Sequence, residues 1–124
     1  HPRTKKKLKE FNFKLSKKII ITKPLGFIDF LNLEINSKFF ITDSGTVQEE
    51  AVILKKKCLI FRESTERPET IESGNSIIIN QDFNEINKIK NMVYKNLDSE
   101  EIPEYKIKNV SQIVCNIINS DLNL

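Results

Sequence analysis

The most constraining feature of this sequence is a series of four short apolar runs separated by segments with helical periodicity. Each run is only three or four residues long, which is typical of strands that are buried on both faces in a parallel sheet. Parallel strands need a crossover between them, and the intervening segments are long enough for helices. The sequence therefore predicts an α/β fold, a Rossmann-like parallel sheet flanked by helices. The runs are residues 19–21, 39–41, 58–61 and 76–79.

Helices are predicted where apolar residues recur at intervals of three and four positions. Thr4 is predicted as the N-cap of the first helix, and Gly74 as the end of a short one. Asp82 is predicted to cap a longer helix. The predicted helical segments are 4–11, 27–35, 46–56, 71–74, 82–97 and 110–118.

Size and composition exclude several classes of protein. The chain has 124 residues, of which 39% are apolar and 30% charged, enough for one domain or part of a larger one. No apolar run is long enough to span a membrane, and the basic first residues do not resemble a signal peptide. We therefore expect a cytoplasmic protein.

The cysteines and the single histidine argue against a metal site. Cys58 lies in a strand-like run and Cys115 in a helical one, so buried free thiols are favoured over a disulfide or a metal pair. With one His and no close Cys pair, we expect no zinc site.

Positive charge is concentrated at the start of the chain. Residues 1–23 hold nine basic residues and one acidic residue, within a net charge of +3. Such an end can bind nucleic acid or an anionic surface. However, the lysines alternate with Leu8, Phe11 and Leu15 at helical spacing, which favours a solvated helix face.

A Ser-Gly turn follows the second apolar run and opens a helix. Unpaired N–H groups and the helix dipole at such a start can bind a phosphate, and Gly45 would allow close approach. The simpler interpretation, which the sequence favours, is a helix cap, since Thr46 and Glu49 fit a capping box.

The two glutamates of this helix point in different directions. At about 100° per residue, Glu50 falls near the apolar stripe and Glu49 points away from it. A carboxylate at the edge of a packed face needs a partner that offsets its desolvation. Either a ribose diol or a structural partner, Arg62 or Arg67, would serve.

Arg62 and Arg67 flank the loop that follows the third apolar run. Arginine suits bidentate phosphate recognition, but three nearby glutamates could pair with either side chain. His1 could supply a further phosphate contact, although a terminal histidine is usually just exposed. Phe30 is either a core aromatic residue or, less commonly, a stacking platform for a base.

Taken together, these segments resemble the non-hydrolysing UDP-N-acetylglucosamine 2-epimerases. The resemblance covers roughly residues 1–80, and its Asp-Ser-Gly and Thr-Glu-Arg-Pro-Glu motifs are highly specific. The matching segments are His1-Pro2-Arg3-Thr4, Pro24-Leu25-Gly26-Phe27-Ile28-Asp29-Phe30-Leu31, Thr42-Asp43-Ser44-Gly45, Gln48-Glu49-Glu50-Ala51, Arg62, Thr65-Glu66-Arg67-Pro68-Glu69 and Gly74.

The resemblance implies the C-terminal, UDP-binding domain of a GT-B-type two-domain enzyme. That family interconverts UDP-GlcNAc and UDP-ManNAc by eliminating and re-adding UDP, with no added cofactor. It implies that residues 1–124 form part of this domain, without its first strand. The implied site residues are Leu25 and Phe30 at the uracil, Ser44, Gly45 and Thr46 at phosphate, Glu50 at the ribose hydroxyls, and His1 and Arg67 at the diphosphate.

The acid and base at the sugar belong to the family's N-terminal domain, so this chain alone is expected to be inactive. The implied partners are UDP-GlcNAc or UDP, the N-terminal domain and, in the full-length enzyme, a second copy; no membrane or nucleic acid is expected. The alternatives are a non-catalytic nucleotide-binding remnant and a basic nucleic-acid-binding domain.

Overall fold

The computed structural model describes residues 1–79 and 99–122, and contacts divide the chain into two units, His1–Leu33 and Glu34–Leu124. The first unit contains α1 and most of α2. The second contains the sheet and the remaining helices. The elements are α1 (Pro2–Glu10), α2 (Phe27–Asn36), β1 (Phe39–Thr42), α3 (Gly45–Ile53), β2 (Lys57–Ile60), α4 (Pro68–Glu72), β3 (Ser76–Ile78), a 3₁₀ turn (Pro103–Lys106) and α5 (Val110–Asp121).

The three strands form a parallel sheet in the order β1-β2-β3. Phe40 lies opposite Cys58, and Cys58 lies opposite Ser76. All four residues of β1 are paired with β2, and all three residues of β3 are paired with residues 58–60 of β2. Helices α3 and α4 provide the crossovers, as parallel pairing requires. The predicted parallel α/β sheet flanked by helices is confirmed.

The core of the second unit lies around the central strand. Phe40, Ala51, Cys58 and Ile60 form one buried cluster, and Leu59 packs with Ile79 in another. Successive residues of β2 therefore meet apolar neighbours on both faces of the sheet. This two-sided burial explains why the strand is a continuous apolar run and does not alternate with polar residues.

The predicted strand at residues 19–21 is wrong. These three isoleucines have no regular secondary structure and are 53%, 87% and 62% exposed. A parallel strand exists only where a neighbouring strand completes its hydrogen bonds, and the described part of the first unit contains no strand. A run of apolar residues predicts burial, but it does not show that a neighbouring strand is available for pairing.

Other boundaries differ by a few residues. The first helix begins at Pro2 with His1 as its N-cap, so the predicted cap at Thr4 is wrong. Helix α3 begins one residue earlier than predicted and ends at Ile53. The chain then turns through Lys55, whose φ of 54° lies in the region that favours glycine. The helix predicted at 82–97 lies outside the described residues.

The two thiols are free, but only one is buried. Cys58 is buried in the core, and this burial raises the pKa of its thiol to about 11. Cys115 is exposed on α5, so the prediction that both thiols are buried is wrong for this residue. None of the helices in the described ranges is long and apolar enough to cross a membrane.

Replacing Phe40 by alanine should strongly destabilise the second unit. The ring is 7% exposed within the main cluster, and deleting a buried phenyl group costs about 3–5 kcal/mol. The adjacent Phe39, on the same strand, is 37% exposed, and its replacement by alanine is the matched control. Urea denaturation measures both free energies of unfolding. Equal losses for the two variants would contradict this assignment of the core.

Candidate functional site

The site residues of the second unit gather where two parallel strands end. Strand β1 ends at Thr42 and β2 at Ile60, and these residues are paired in the sheet. The chain turns sharply after β1, where the Ser44 amide donates to Thr42 Oγ1 at 3.0 Å. This turn starts α3 at the edge where ligands bind in open parallel sheets.

The start of α3 is not closed by a side chain. Ser44 is the N-cap residue with extended φ and ψ angles, but its side chain makes no capping hydrogen bond. The capping box predicted from Thr46 and Glu49 is therefore wrong. Because the first N–H groups of a helix have no intrahelical partner, this end can bind an anion.

Arg67 lies directly over this open helix start. A Cβ atom added to Gly45 would come within 2.6 Å of Arg67 Cζ, so no larger residue fits beneath the guanidinium in this arrangement. Glycine permits this close approach, since any Cβ atom at position 45 would force the guanidinium to move. The structure thus brings together Gly45 and Arg67, two residues predicted separately.

Glu49 holds the guanidinium in place. Arg67 Nε donates to Glu49 Oε1, and Arg67 Nη1 lies 3.7 Å from Glu66 Oε2. The hydrogen bond to Glu49 raises the pKa of Arg67. Anchoring through Nε fixes one edge of the guanidinium, and the Nη groups lie against Gly45. Sequence reasoning had Glu49 pointing away, and no local signal revealed this long-range partner.

Arg62 has a different role from Arg67. Its Nη1 donates to Glu66 Oε2 at 2.8 Å across the same loop. The pKa of the Glu66 carboxyl is lowered, first by a hydrogen bond from the backbone amide of Glu66 and then by the one from Arg62. Arg62 therefore braces the loop, and neither arginine is paired with Glu50. The structural partner proposed for Glu50 from the sequence is wrong.

A buried side chain and a half-buried one, Gln48 and Thr65, connect α3 to the Arg67 loop. Thr65 Oγ1 donates to Gln48 Oε1 at 2.7 Å and accepts from the Arg67 backbone amide at 3.2 Å. Gln48 is fully buried, and its Nε2 has no hydrogen-bond partner among the residues described. The Gln48–Thr65 bond therefore sets the position of the Arg67 backbone relative to α3.

A further contact joins the loop region to the C-terminal part of the chain. Tyr105, in the 3₁₀ turn, donates from its hydroxyl to Glu69 Oε1 at 2.6 Å. Burial, followed by the hydrogen bond to Glu69, raises the pKa of Tyr105. This contact spans 36 residues of sequence, and the sequence analysis missed it.

Glu50 faces another acid. On α2, the Glu34 side chain is 4% exposed, and neither carboxyl oxygen has a hydrogen-bond partner within residues 1–79 and 99–122. Burial, and then the charge and proximity of Glu50, raise the pKa of Glu34 to about 7. The sequence analysis did not identify Glu34 as a functional residue, because its position on α2 fits an ordinary helix.

The remaining predicted residues lie in the first unit. His1 is exposed, and its Nδ1 accepts from the Arg3 amide at 3.3 Å as the N-cap of α1. Phe30 is in the first turns of α2 and is 42% exposed, while Leu25 lies just before that helix. In the described ranges, no group of three or more His, Cys, Asp or Glu residues could hold a metal ion.

Replacing Thr65 by valine should destabilise the second unit without changing its shape. The substitution leaves the buried Gln48 oxygen without a donor, which costs about 1–3 kcal/mol. Ser64→Ala, at an exposed position of the same loop, is the control and should change stability by less than about 0.5 kcal/mol. Urea denaturation of both variants checks this. A Thr65→Val variant as stable as the wild type would contradict the role of this bond.

The chain is similar to known epimerases along nearly its whole length. Residues 1–119 match the family model described as UDP-N-acetylglucosamine 2-epimerase. A protein of that name from Methanocaldococcus jannaschii is 55% identical over 83 residues, which is 64% of this chain and 23% of the relative. The one from Methanococcus maripaludis is 46% identical over 101 residues, which is 77% of this chain and 28% of the relative.

A solved structure extends the likeness to the fold. The M. jannaschii UDP-GlcNAc 2-epimerase, in complex with UDP-GlcNAc and UDP, is 40% identical with a TM-score of 0.85. The match covers 97% of this chain and 34% of the solved one. It confirms the predicted fold class, a Rossmann-like part of a GT-B-type enzyme. The chain belongs to the UDP-N-acetylglucosamine 2-epimerase family.

Proposed function

We propose that this chain supplies the UDP-binding part of an enzyme that interconverts UDP-GlcNAc and UDP-ManNAc. Residues 1–124 would form part of the C-terminal domain, working with an N-terminal domain in the cytoplasm. The observation that carries the proposal is the Arg67 guanidinium over Gly45, at the open start of α3. It joins a fixed cation and free backbone N–H groups, the donors that a diphosphate needs.

The diphosphate would bind between Arg67 and the first turn of α3. Gly45 and Thr46 would offer their N–H groups, since no side chain caps this helix end. Ser44, whose own amide already donates to Thr42 Oγ1, would offer its hydroxyl, as would Thr46. The guanidinium would add charge-assisted hydrogen bonds from its Nη groups. Its bond to Glu49 fixes its orientation before the ligand arrives, which reduces the entropy cost of binding.

The nucleoside would be held by other residues. Glu50, which has no cationic partner in the described part of the chain, would accept hydrogen bonds from the ribose hydroxyls. Leu25 and Phe30 would line the uracil pocket, where half-exposed Phe30 offers an aromatic face. These three assignments rest on the family resemblance.

His1 is proposed to face the diphosphate and stabilise the leaving group. This role also rests on the resemblance, because the observed role of His1 is to cap α1 through Nδ1. Capping uses one ring nitrogen, and Nε2 would be the one that meets a phosphate.

Binding groups of this kind would assist the reaction by stabilising the departing UDP. Negative charge would grow on the diphosphate as the bond to the sugar breaks, and Arg67 and the helix N–H groups would stabilise that charge. Proton transfer at the sugar would be carried out by residues of the N-terminal domain. No added cofactor is required, and the full-length enzyme is proposed to be a homodimer.

Arg67→Ala should weaken UDP binding at least tenfold. The substitution removes the charge-assisted hydrogen bonds to the diphosphate, which contribute about 1.5–3 kcal/mol. Arg62→Ala is the matched control, because it removes an arginine of the same loop that is paired with Glu66. It should change the affinity less than about threefold, as expected for an exposed ion pair. Calorimetric titration with UDP measures both.

The titration also separates the alternatives. Equal losses in the two variants would indicate general attraction by positive charge and contradict the assigned diphosphate site. Failure of the folded wild-type chain to bind UDP would overturn the proposal. Salt-dependent binding to DNA or RNA in its place would favour a nucleic-acid-binding domain.

The catalytic proposal predicts activity in a chimera. In the M. jannaschii enzyme, the segment matched by this chain is replaced by residues 1–119, and the production of UDP-ManNAc is followed. We expect turnover by the chimera, none by the 124-residue chain alone, and a loss of at least tenfold in the chimera with Arg67→Ala. The unmodified relative is the positive control. A folded chimera that binds UDP without turnover would indicate a non-catalytic module.

A further inference from the structure

Glu34 is a buried acid whose oxygens have no donor to bind. It lies on the last turns of α2, and its backbone carbonyl closes the helix by accepting from the Ser37 amide at 3.1 Å and the Ser37 hydroxyl at 2.8 Å. The side chain is 4% exposed, and neither carboxyl oxygen accepts a hydrogen bond from an N–H or hydroxyl group within the described ranges. A buried carboxylate in this state is costly unless it takes up a proton.

The group next to it is Glu50, the residue proposed to bind the ribose. The two carboxyl groups are close enough to share a hydrogen bond. Ionised carboxylates only accept hydrogen bonds, so this bond can form only when one of the pair carries a proton. Glu34 is buried and Glu50 only half-buried, so the shared proton is assigned to Glu34. Burial, followed by the nearness of Glu50, raises the pKa of Glu34 to about 7.

No cation in the described part of the chain compensates Glu34. Glu50 on α3 is the titratable group whose charge acts on it. Lys56, which follows α3, reaches this end of α2 but donates to the Ser37 carbonyl oxygen at 2.9 Å. Arg62 and Arg67 are paired with Glu66 and Glu49. A shared proton is therefore the remaining way to offset the repulsion between the two acids.

We propose that neutral Glu34 is a positioning residue for Glu50 in nucleotide binding. Its proton lies in a hydrogen bond to one Glu50 oxygen, which leaves the other oxygen oriented to accept from a vicinal diol. This inference rests on the proposed function, since the diol is that of the bound nucleotide. It adds to the site a residue of α2 that lies outside the motif segments.

The consequence is a binding affinity that falls with rising pH. Below about pH 7 Glu34 is neutral, and the pair is hydrogen-bonded. Above that pH Glu34 loses its proton, the two carboxylates repel each other, and Glu50 is no longer held. If the ligand selects the protonated state, the affinity drops by up to about tenfold per pH unit above the pKa.

The test is calorimetric titration with UDP-GlcNAc between pH 5.5 and 8.5. Both phosphates of this ligand are esterified, so the ligand itself does not titrate in this window. We expect wild-type affinity to decrease above about pH 7, and Glu34→Gln, whose amide donates at every pH, to bind with no such dependence. Glu34→Met, similar in size but without a donor, should bind at least about threefold more weakly than Glu34→Gln throughout.

The outcomes separate this inference from the proposed function. No binding by the wild-type chain at any pH contradicts the proposed function. Binding that is independent of pH in the wild type, or equal in the Gln and Met variants, overturns the role of Glu34 and leaves the UDP site intact. Carboxyl ¹³C NMR gives a measure that needs no ligand: Glu34 should titrate near pH 7 in the wild type and at lower pH in Glu50→Gln.

Discussion

The ion pair between Arg67 and Glu49 is the interaction on which the candidate site depends. A free arginine side chain samples many rotamers, and ordering it would cost much of the energy gained from a phosphate contact. Here Glu49 fixes Nε, the Gln48–Thr65 bond fixes the backbone of the loop, and Gly45 leaves room for the guanidinium. The cation is therefore already in position at the helix start.

This arrangement follows from the pairing of the strands. Parallel register sets Thr42 beside Ile60, so the turn into α3 and the loop after β2 emerge at one edge of the sheet. Burial of β2 on both faces keeps that register, since a shift by one residue would exchange the residues facing the two core clusters. The stability of the core and the geometry of the site are thus linked.

Features set by the local sequence pattern were predicted correctly, whereas features set by residues distant in sequence were not. The runs that became β1, β2 and β3 were predictable, because each has a paired neighbour and the apolar pattern reports burial. Residues 19–21 have the same pattern without a paired strand in the described structure. The capping box failed because the helix starts at Gly45, with Thr46 already inside it, and because Glu49 binds Arg67, 18 positions away. The local sequence pattern therefore limits the contacts that a side chain can make, and residues distant in sequence determine which of these contacts forms.

Adjacent glutamates on α3 show how one helix can carry two kinds of carboxylate. The rotation of about 100° per residue directs Glu49 toward a cation and Glu50 toward a buried acid. The sequence indicated this divergence, but the structural partners it offered for Glu50, Arg62 and Arg67, are paired with other glutamates. Glu49 is hydrogen-bonded to a cation, whereas Glu50 lies beside Glu34, whose pKa is raised to about 7 by burial and then by Glu50. In the proposed site, diphosphate binding is therefore fixed by charge pairing, and ribose binding is adjusted by protonation.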